Sequence, residues 1–184
     1  EKYFRVACQD SKDAQALALF GRTLVETKKM DEAMVQLQKA IALGNKDRTV
    51  QWDLARIRIE KGDLDGAEML IKELAKNTGS DPEPTFWQGK IAQRRQQTAV
   101  AEDFFRLANR TQPTVGRYAE TYAQSLRDRD DYKSAMTILK EAEGDLSFSG
   151  LMLLGECLSF GGEEEKALGL YNELSKKNPS AFLL

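Results

Sequence analysis

The stretch RTVQWDLARIRIEKGDLDGAEMLIKELAKNTGSD, residues 48–81, contains the pattern that decides the fold of this chain. Apolar residues recur in it at three- and four-residue spacing, which is typical of amphipathic helices. The segment KGDL at 61–64 interrupts the pattern, and Gly62 can adopt the backbone angles that a tight turn between helices requires. The stretch therefore predicts two helices joined by a short turn.

The same pattern returns along almost the whole chain, with breaks at KKMD, KGDL, RQQT, DRDD and GGEE. Four series of residues share one phase, with steps of 34, 34, 34 and 32. Small residues in the first helices are Gly21, Ala55, Gly89, Ala123 and Gly155; those opening the second helices are Ala33, Ala67, Ala101, Ala135 and Ala167. Four positions later come Leu37, Ile71, Phe105, Leu139 and Tyr171, and then Ala40, Leu74, Ala108, Ala142 and Leu174. We predict that the small residues let paired helices pack closely while the bulky ones fill the seam.

This period resembles the tetratricopeptide repeat (TPR), a unit of 34 residues with small side chains where its two helices cross. Pro113 and Pro179 stand at the terminal proline position of the family. The resemblance covers residues 14–181 as a single array of five units: 14–47, 48–81, 82–115, 116–147 and 148–181. The sequence departs from the family at Asn45 and Gly79, where proline is common, and its fourth unit is shorter than the others.

The resemblance implies an all-α fold, a right-handed superhelical solenoid of stacked antiparallel helix pairs with a concave inner surface. We expect residues 1–13 to end a preceding helix. We expect residues 182–184 to begin a following helix or to form a tail, as in a segment of a larger multidomain protein. One hairpin cannot bury its apolar face alone, so neighbouring units must stack.

Composition argues against catalysis and metal binding. The chain has no histidine, the commonest general base and transition-metal ligand, and its acidic runs fit turns and first helical turns. Cys8 and Cys157 have no neighbour at metal-ligand spacing, and we interpret them as small buried side chains rather than as a disulfide. We predict that the chain is not an enzyme and that it holds no cofactor or metal.

Charge and hydropathy argue against nucleic-acid and membrane partners. The 27 basic and 29 acidic side chains give a net charge of -2, so no global attraction to nucleic acid is expected. No stretch approaches the roughly 20 apolar residues of a membrane span, which predicts no membrane insertion of this segment. The sequence does not fix the compartment; the cytoplasm is our expectation, and the periplasm stays open.

The resemblance also implies which residues face the groove, since the first helix of each TPR unit supplies most of the inner surface. Position nine of the units holds Arg22, Arg56, Lys90, Gln124 and Glu156, and position thirteen holds Glu26, Glu60, Arg94, Asp128 and Phe160. In the first two units this spacing combines Arg with Glu, which fits an intrahelical ion pair. The third unit instead combines Lys90 with Arg94, which leaves an excess of positive charge.

Aromatic side chains join this surface at Trp52 and Phe86, both at position five, and at Trp87. Aromatic area beside Arg is typical of interface hot spots. Either tryptophan also fits the core position of the family's early tryptophan, so both interpretations stay open. The predicted partner-binding residues are Trp52, Arg56, Phe86, Trp87, Lys90, Arg94 and Arg117.

These residues predict a scaffold that binds a protein or peptide segment, one carrying acidic residues, in the concave groove. The family's clamp for chaperone C-termini uses Lys at position five and Asn at position nine, and this sequence resembles it poorly. One alternative is self-association of the array ends into a homo-oligomer. A second is a single-stranded RNA-binding helical repeat, which the 34-residue steps and the net charge disfavour. Family habit suggests a bacterial scaffold in an envelope or motility assembly.

Overall fold

A computed structural model describes residues 12–76 and 79–179, and within them the chain is helical without strands. A 3-10 turn at Glu143–Asp145 lies in the segment predicted as the short fourth repeat. The expectations for residues 1–11 and 182–184, with Cys8, fall outside the described residues. In chain order the helices are α1 (Ala14–Glu26), α2 (Met30–Ala42), α3 (Arg48–Glu60), α4 (Leu64–Ala75), α5 (Glu83–Arg94), α6 (Thr98–Thr111), α7 (Gly116–Arg127), α8 (Tyr132–Glu141), α9 (Phe148–Phe160) and α10 (Glu164–Lys177).

The chain divides into two compact units. Unit 1 comprises Glu1–Gly79 and Lys90–Gln97, and unit 2 comprises Ser80–Gly89 and Thr98–Leu184. Helix α5 therefore gives its first part to unit 2 and its last part to unit 1. The division into five repeat units stays a prediction.

The turns inside the predicted repeats share one backbone geometry. One residue of each adopts a positive φ: Lys28 (59°), Gly62 (82°), Gln96 (61°), Asp130 (61°) and Gly162 (89°). The amide of the next residue then donates back into the helix, as from Lys29 to the Leu24 carbonyl at 2.9 Å. This arrangement satisfies carbonyls at the end of the first helix. The turns therefore lie where the sequence predicted them, and three of the five have a residue other than glycine at the positive φ.

Side-chain oxygens begin the first helices. Asp13 accepts from the Gln15 amide and Asp47 from the Thr49 amide, both at 2.9 Å. These bonds satisfy amides that have no partner within the helix. At the start of α7 the acceptor comes from the following connection, since Asp145 Oδ2 lies 2.8 Å from the Gly116 amide.

The seams between paired helices have the predicted composition. The five alanines that open the second helices are all at most 3% exposed. A Cβ added to Gly21 would lie 2.6 Å from Leu37 Cδ2, and one added to Gly89 would lie 2.5 Å from Phe105 Cε1. In these hairpins the backbone of the first helix approaches the bulky residue too closely for any side chain.

Each unit has its own apolar core. In unit 1, Leu17, Leu37 and Ile57 of the first three helices are at most 1% exposed. In unit 2, Leu139 and Cys157 are completely buried among the last four helices. Burial raises the pKa of the free Cys157 thiol to about 11, so it stays protonated and packs as a small apolar group.

Candidate binding surfaces on the first helices

The predicted partner-binding residues all lie on first helices, but they fall into both compact units. Four of them belong to unit 1: Trp52, Arg56, Lys90 and Arg94. Three belong to unit 2: Phe86, Trp87 and Arg117.

In unit 1, two arginines converge on one carboxylate. Arg22 Nε lies 3.5 Å from Asp53 Oδ2, and Arg56 Nη2 lies 3.3 Å from Asp53 Oδ1. The expected intrahelical pairs of Arg22 with Glu26 and Arg56 with Glu60 are absent among the described residues, so that interpretation is wrong. The physical reason is that Asp53 is reached from both α1 and α3. It therefore links the two helices as well as fixing both guanidinium groups.

The carboxyl of Asp53 is substantially desolvated, with 21% of its side chain exposed. Burial raises its pKa above the ordinary value, while the charges of Arg56 and Arg22 act in the opposite direction. The two guanidinium groups stay more open, with 47% of the Arg22 side chain and 39% of the Arg56 side chain exposed. They are thus held in place and still reachable from solvent.

The basic end of α5 has two different roles. Lys90 is half-buried, and the exposed Arg94 makes no ion pair with any residue in the described ranges. Arg95, which follows, binds α4 through Asp65 Oδ1 at 2.6 Å and Glu68 Oε2 at 2.8 Å. Arg95 is therefore a link within unit 1, whereas Arg94 is a surface cation.

In unit 2, one carboxylate collects three donors. Glu83 Oε1 accepts from Trp87 Nε1 at 2.7 Å, and Glu83 Oε2 accepts from the Tyr118 hydroxyl at 2.8 Å. Arg117 donates to both oxygens of Glu83. Burial, together with the Glu83 carboxylate, raises the pKa of Tyr118 to about 12, so its proton stays in the network. Glu83 is saturated by groups from α5 and α7.

Phe86 does not reach the surface as predicted. The residue is 3% exposed, and its ring packs 5.2 Å from that of Tyr118 and 5.8 Å from that of Phe105. Arg117 lies over the Phe86 ring, with Cζ 5.0 Å from the centroid. The sequence placed this side chain at a groove position, but the large ring is more stable in the aromatic core. Phe86 therefore contacts the Arg117 guanidinium group through its ring and does not itself reach the surface.

Both tryptophans are half-buried, so neither is lost in the core nor fully open. Trp87 uses its indole nitrogen on Glu83, whereas Trp52 precedes Asp53 in α3. The sequence left open whether each tryptophan lies on the groove surface or in the core. Because both are half-buried, each combines a covered part with an exposed part. The exposed part of each side chain can contribute area to an interface while the rest stays covered.

A further surface, which the predicted partner-binding residues did not include, lies between α7 and α9 in unit 2. It is a cleft of about 460 Å³ whose lining includes Gln124, Arg127, Phe148, Met152 and Glu156. Polar links bracket it: Ser147 donates to Glu120 at 2.6 Å, and Arg127 Nη1 lies 3.4 Å from Glu156 Oε1.

The acceptors Asp53 and Glu83 were also missed. Glu83 precedes Arg117 by 34 residues, one repeat period, so the two occupy equivalent places on neighbouring first helices. That spacing was an available signal for this ion pair. The sequence placed Gln124 and Glu156 at groove positions but did not predict a cleft there, because the volume of the cleft depends on the distance between two helices.

The described residues contain no group of three or more acidic, cysteine or histidine side chains placed to hold a metal ion. Among the helices in these residues, none has the length and apolar character needed to cross a membrane.

Comparisons with known proteins identify the class of this fold. A family model described as tetratricopeptide repeat matches residues 24–84. No curated protein matches the sequence significantly. The resemblance to the TPR family, and the all-α fold class of paired helices, are confirmed by this match and by solved structures.

Three of those structures are TPR-type neighbours at low identity. The structure of pilF from Pseudomonas aeruginosa has a TM-score of 0.72 and 17% identity, over 96% of this chain and 82% of that one. Yeast Tom70 has a TM-score of 0.73 and 18% identity, over 95% of this chain and 38% of that one. YrrB, a TPR protein with an unusual peptide-binding site, has a TM-score of 0.56 and 13% identity, over 98% and 94%. At these identities the likeness shows the fold alone.

Proposed function

We propose that this chain is a protein-interaction scaffold that holds a segment of a partner protein against its first helices, in a concave groove. Proteins with the TPR fold generally mediate protein–protein interactions, and YrrB is described as having a peptide-binding site. The observation that carries the proposal is Arg56, which is bound to Asp53 while 39% of its side chain stays exposed. A guanidinium group fixed in this way loses less conformational entropy when it binds a partner.

An acidic and partly apolar segment fits the side chains of unit 1. Arg binds carboxylates with two parallel hydrogen bonds, and a half-buried Trp supplies rigid apolar area. Arg56, Arg94 and Trp52 provide these groups in unit 1. In unit 2, Trp87 and Arg117 remain candidates, and Phe86 contributes only through Arg117.

The test uses short amidated peptides in which leucine alternates with glutamate, with lysine or with serine. Fluorescence anisotropy should show the glutamate peptide binding most tightly, with an affinity that falls as salt is raised. Lys90→Glu with Arg94→Glu should weaken that peptide by about tenfold or more. Far-UV circular dichroism should show an unchanged helix content for the variant.

The matched control is Lys72→Glu with Lys76→Glu, where Lys72 lies on α4 and Lys76 is the residue that caps its C-terminal end. These two lysines have the same four-residue spacing, lie in the same compact unit and have exposed side chains. The control should change the affinity by less than about twofold. Equal losses for the two pairs would assign the effect to net charge and would contradict this placement of the site.

Self-association is an alternative that exposed apolar residues of unit 2 favour. Phe160 at the end of α9 is 68% exposed, and Leu168 on α10 is 62% exposed. Apolar side chains this open are frequent in interfaces between copies of a chain. Light scattering over a concentration series should show a rising mass if the alternative is correct, and Phe160→Ser with Leu168→Ser should abolish the rise.

A further inference from the structure

We propose that a groove between the second helices α8 and α10 binds a small zwitterion, in which an apolar chain joins an ammonium group to a carboxylate. The groove has a volume of about 330 Å³ and lies wholly within unit 2. Small-molecule sites have volumes of roughly 300 to 1,000 Å³, so the groove can hold a ligand of this class. The site goes beyond the proposed function in both its surface and its ligand, since the surfaces described for a partner protein lie on the first helices.

Gly169 of α10 leaves the groove open. A Cβ added to this glycine would meet no atom of another helix within 4 Å in the described part of the chain. Glycine inside a helix lowers stability relative to alanine, and close packing does not require it here. The equivalent positions, two residues after the alanine that opens each second helix, carry side chains in the other predicted repeats: Val35, Met69, Asp103 and Thr137. The glycine is therefore explained by the open groove and not by the packing of the fold.

The base of the groove is apolar. Leu154 and Leu158 of α9 line it and are 2% and 4% exposed, and the half-buried Leu170 of α10 lines it as well. An apolar chain that lies against these side chains is removed from water. The leucines of α9 and α10 thus supply the contact for the part of the ligand between its two charged groups.

Two lysines form the positive end of the groove. Lys140 Nζ lies 3.2 Å from Glu163 Oε1, and Lys166 Nζ lies 2.5 Å from Glu163 Oε2, which links α8 to the start of α10. Two cations and one anion leave this end with an excess of positive charge. An ammonium group carries three donors, so both lysines keep donors for a ligand carboxylate after they bind Glu163.

Two carboxylates form the negative end of the groove. Glu143 and Glu173 line it, and neither makes an ion pair with another residue in the ranges 12–76 and 79–179. Glu143 follows the carboxyl-terminal end of α8, where the helix dipole disfavours an anion. A ligand ammonium group would gain two acceptors here and would also compensate this unfavourable charge.

The separation of the two ends sets the length of the ligand. Lys166 and Glu173 lie seven residues apart in α10, which corresponds to roughly 10 Å along a helix. An α-amino acid carries both charged groups on one carbon, so it cannot reach both ends. An ω-amino acid with a chain of several methylene groups can reach both ends and cover the leucines between them.

The test compares ω-aminooctanoate with octanoate, octylamine and the short zwitterion β-alanine, by NMR of ¹³C-labelled leucine methyl groups in the full chain. The first compound should shift the signals of Leu158 and Leu170, whereas Leu43 of unit 1, which is 47% exposed, should not shift. Its affinity, fitted to these shifts, should exceed that of each comparison compound by about tenfold or more. Unshifted Leu158 and Leu170, equal shifts at Leu43, or equal affinity for any comparison compound would overturn the proposal.

Two variants examine the open space and the negative end separately. Gly169→Leu should fill the groove and weaken ω-aminooctanoate by about tenfold or more, without lowering stability in urea unfolding. Glu143→Gln with Glu173→Gln should reduce the affinity for ω-aminooctanoate to that for octanoate and leave octanoate unchanged. The matched control is Glu26→Gln with Glu60→Gln, which removes two charges from exposed side chains of unit 1 and should change the affinity by less than about twofold. Full affinity in either groove variant, or an equal loss in the control, would contradict the assignment.

This site and the proposed function fail separately. Binding of the glutamate peptide should survive Gly169→Leu, and binding of ω-aminooctanoate should survive Lys90→Glu with Arg94→Glu. Loss of ω-aminooctanoate binding in that double charge variant would overturn its placement between α8 and α10.

Discussion

The helix pair α1/α3 in unit 1 and the helix pair α7/α9 in unit 2 differ at equivalent positions. The sixth residue of α3 is Asp53, whereas the sixth residue of α9 is Leu153. The ninth residue of α1 is Arg22, whereas the ninth of α7 is Gln124. In the first pair the carboxylate draws arginines from both helices, and in the second pair a cleft lies over the leucine.

This difference shows how a repeat changes its surface without changing its hairpins. A carboxylate at the sixth position binds long cations across the gap between the two helices. A leucine at that position, 7% exposed, joins the core and gives the facing side chain nothing to bind. The sixth and ninth residues of these helices together therefore distinguish the arginine–carboxylate network of α1 and α3 from the cleft between α7 and α9.

The largest expected effect comes from placing the carboxylate of α3 into α9. Leu153→Asp should lower the free energy of unfolding by about 3 to 5 kcal/mol, because it removes a core side chain and buries a charge. Adding Gln124→Arg should recover about 1 kcal/mol or more by supplying a cation. Urea unfolding measures both values. Ser149→Asp, an exposed change in the first turn of the same helix, should change stability little.

The eighth residue is Gly21 in α1 and Ala123 in α7. Exchanging glycine and alanine at these two positions tests how closely each helix packs against the second helix of its hairpin. Gly21→Ala should destabilise by about 1 to 3 kcal/mol although alanine favours helices, because the new Cβ would lie 2.6 Å from Leu37 Cδ2. Ala123→Gly should destabilise by about 1 kcal/mol through lost helix propensity. Thermal unfolding of the two variants checks these values. A stabilised Gly21→Ala would show that Leu37 moves aside.

Substitutions in the turns of the first and last hairpins should change the free energy of unfolding less, and in opposite directions from each other. Lys28 has a φ of 59° and Gly162 has a φ of 89°, a region in which side chains are strained. Lys28→Gly should therefore raise the free energy of unfolding by up to about 1 kcal/mol, and Gly162→Ala should lower it by about 1 kcal/mol. Gly169→Ala, in a helix and facing open space, is the control and should stabilise slightly. Losses from both Lys28→Gly and Gly162→Ala would contradict a shared turn geometry.

The smallest effect concerns the pH dependence of the α1/α3 network. Since burial raises the pKa of Asp53 in the folded chain, proton uptake by Asp53 favours folding. This contribution is present below the unfolded pKa and is lost as pH rises through the folded pKa. Asp53→Asn should therefore gain stability relative to the wild type between roughly pH 3 and pH 6, by less than about 1 kcal/mol. Urea unfolding at several pH values should show this slope, and the opposite slope would contradict it.

The fold was predictable because its signals are local and repeated. Helix periodicity, small residues at Gly21 and Ala33, and turn segments all recur in one register, so each repeat supports the assignment of the others. The candidate site was predicted less completely. The resemblance placed Trp52 and Arg56 on a first helix, but it also placed Phe86 on the surface. The Phe86 ring packs in the core because the rings of Phe105 and Tyr118 lie there. The periodicity of the sequence does not predict whether a side chain at a groove position points outwards or packs inwards.

The sequence by itself determined the period of the chain, the pairing of helices and the small residues in each seam, because these follow from spacing along one hairpin. The tertiary structure decided which cation binds which carboxylate, as when Arg22 and Arg56 meet at Asp53 and Arg117 meets Glu83. It also decided that a cleft lies between α7 and α9. The contacts of Arg22 with Asp53 and of Arg117 with Glu83 join residues about one repeat apart, and they depend on the separation and facing of two helices rather than on the order of residues in either.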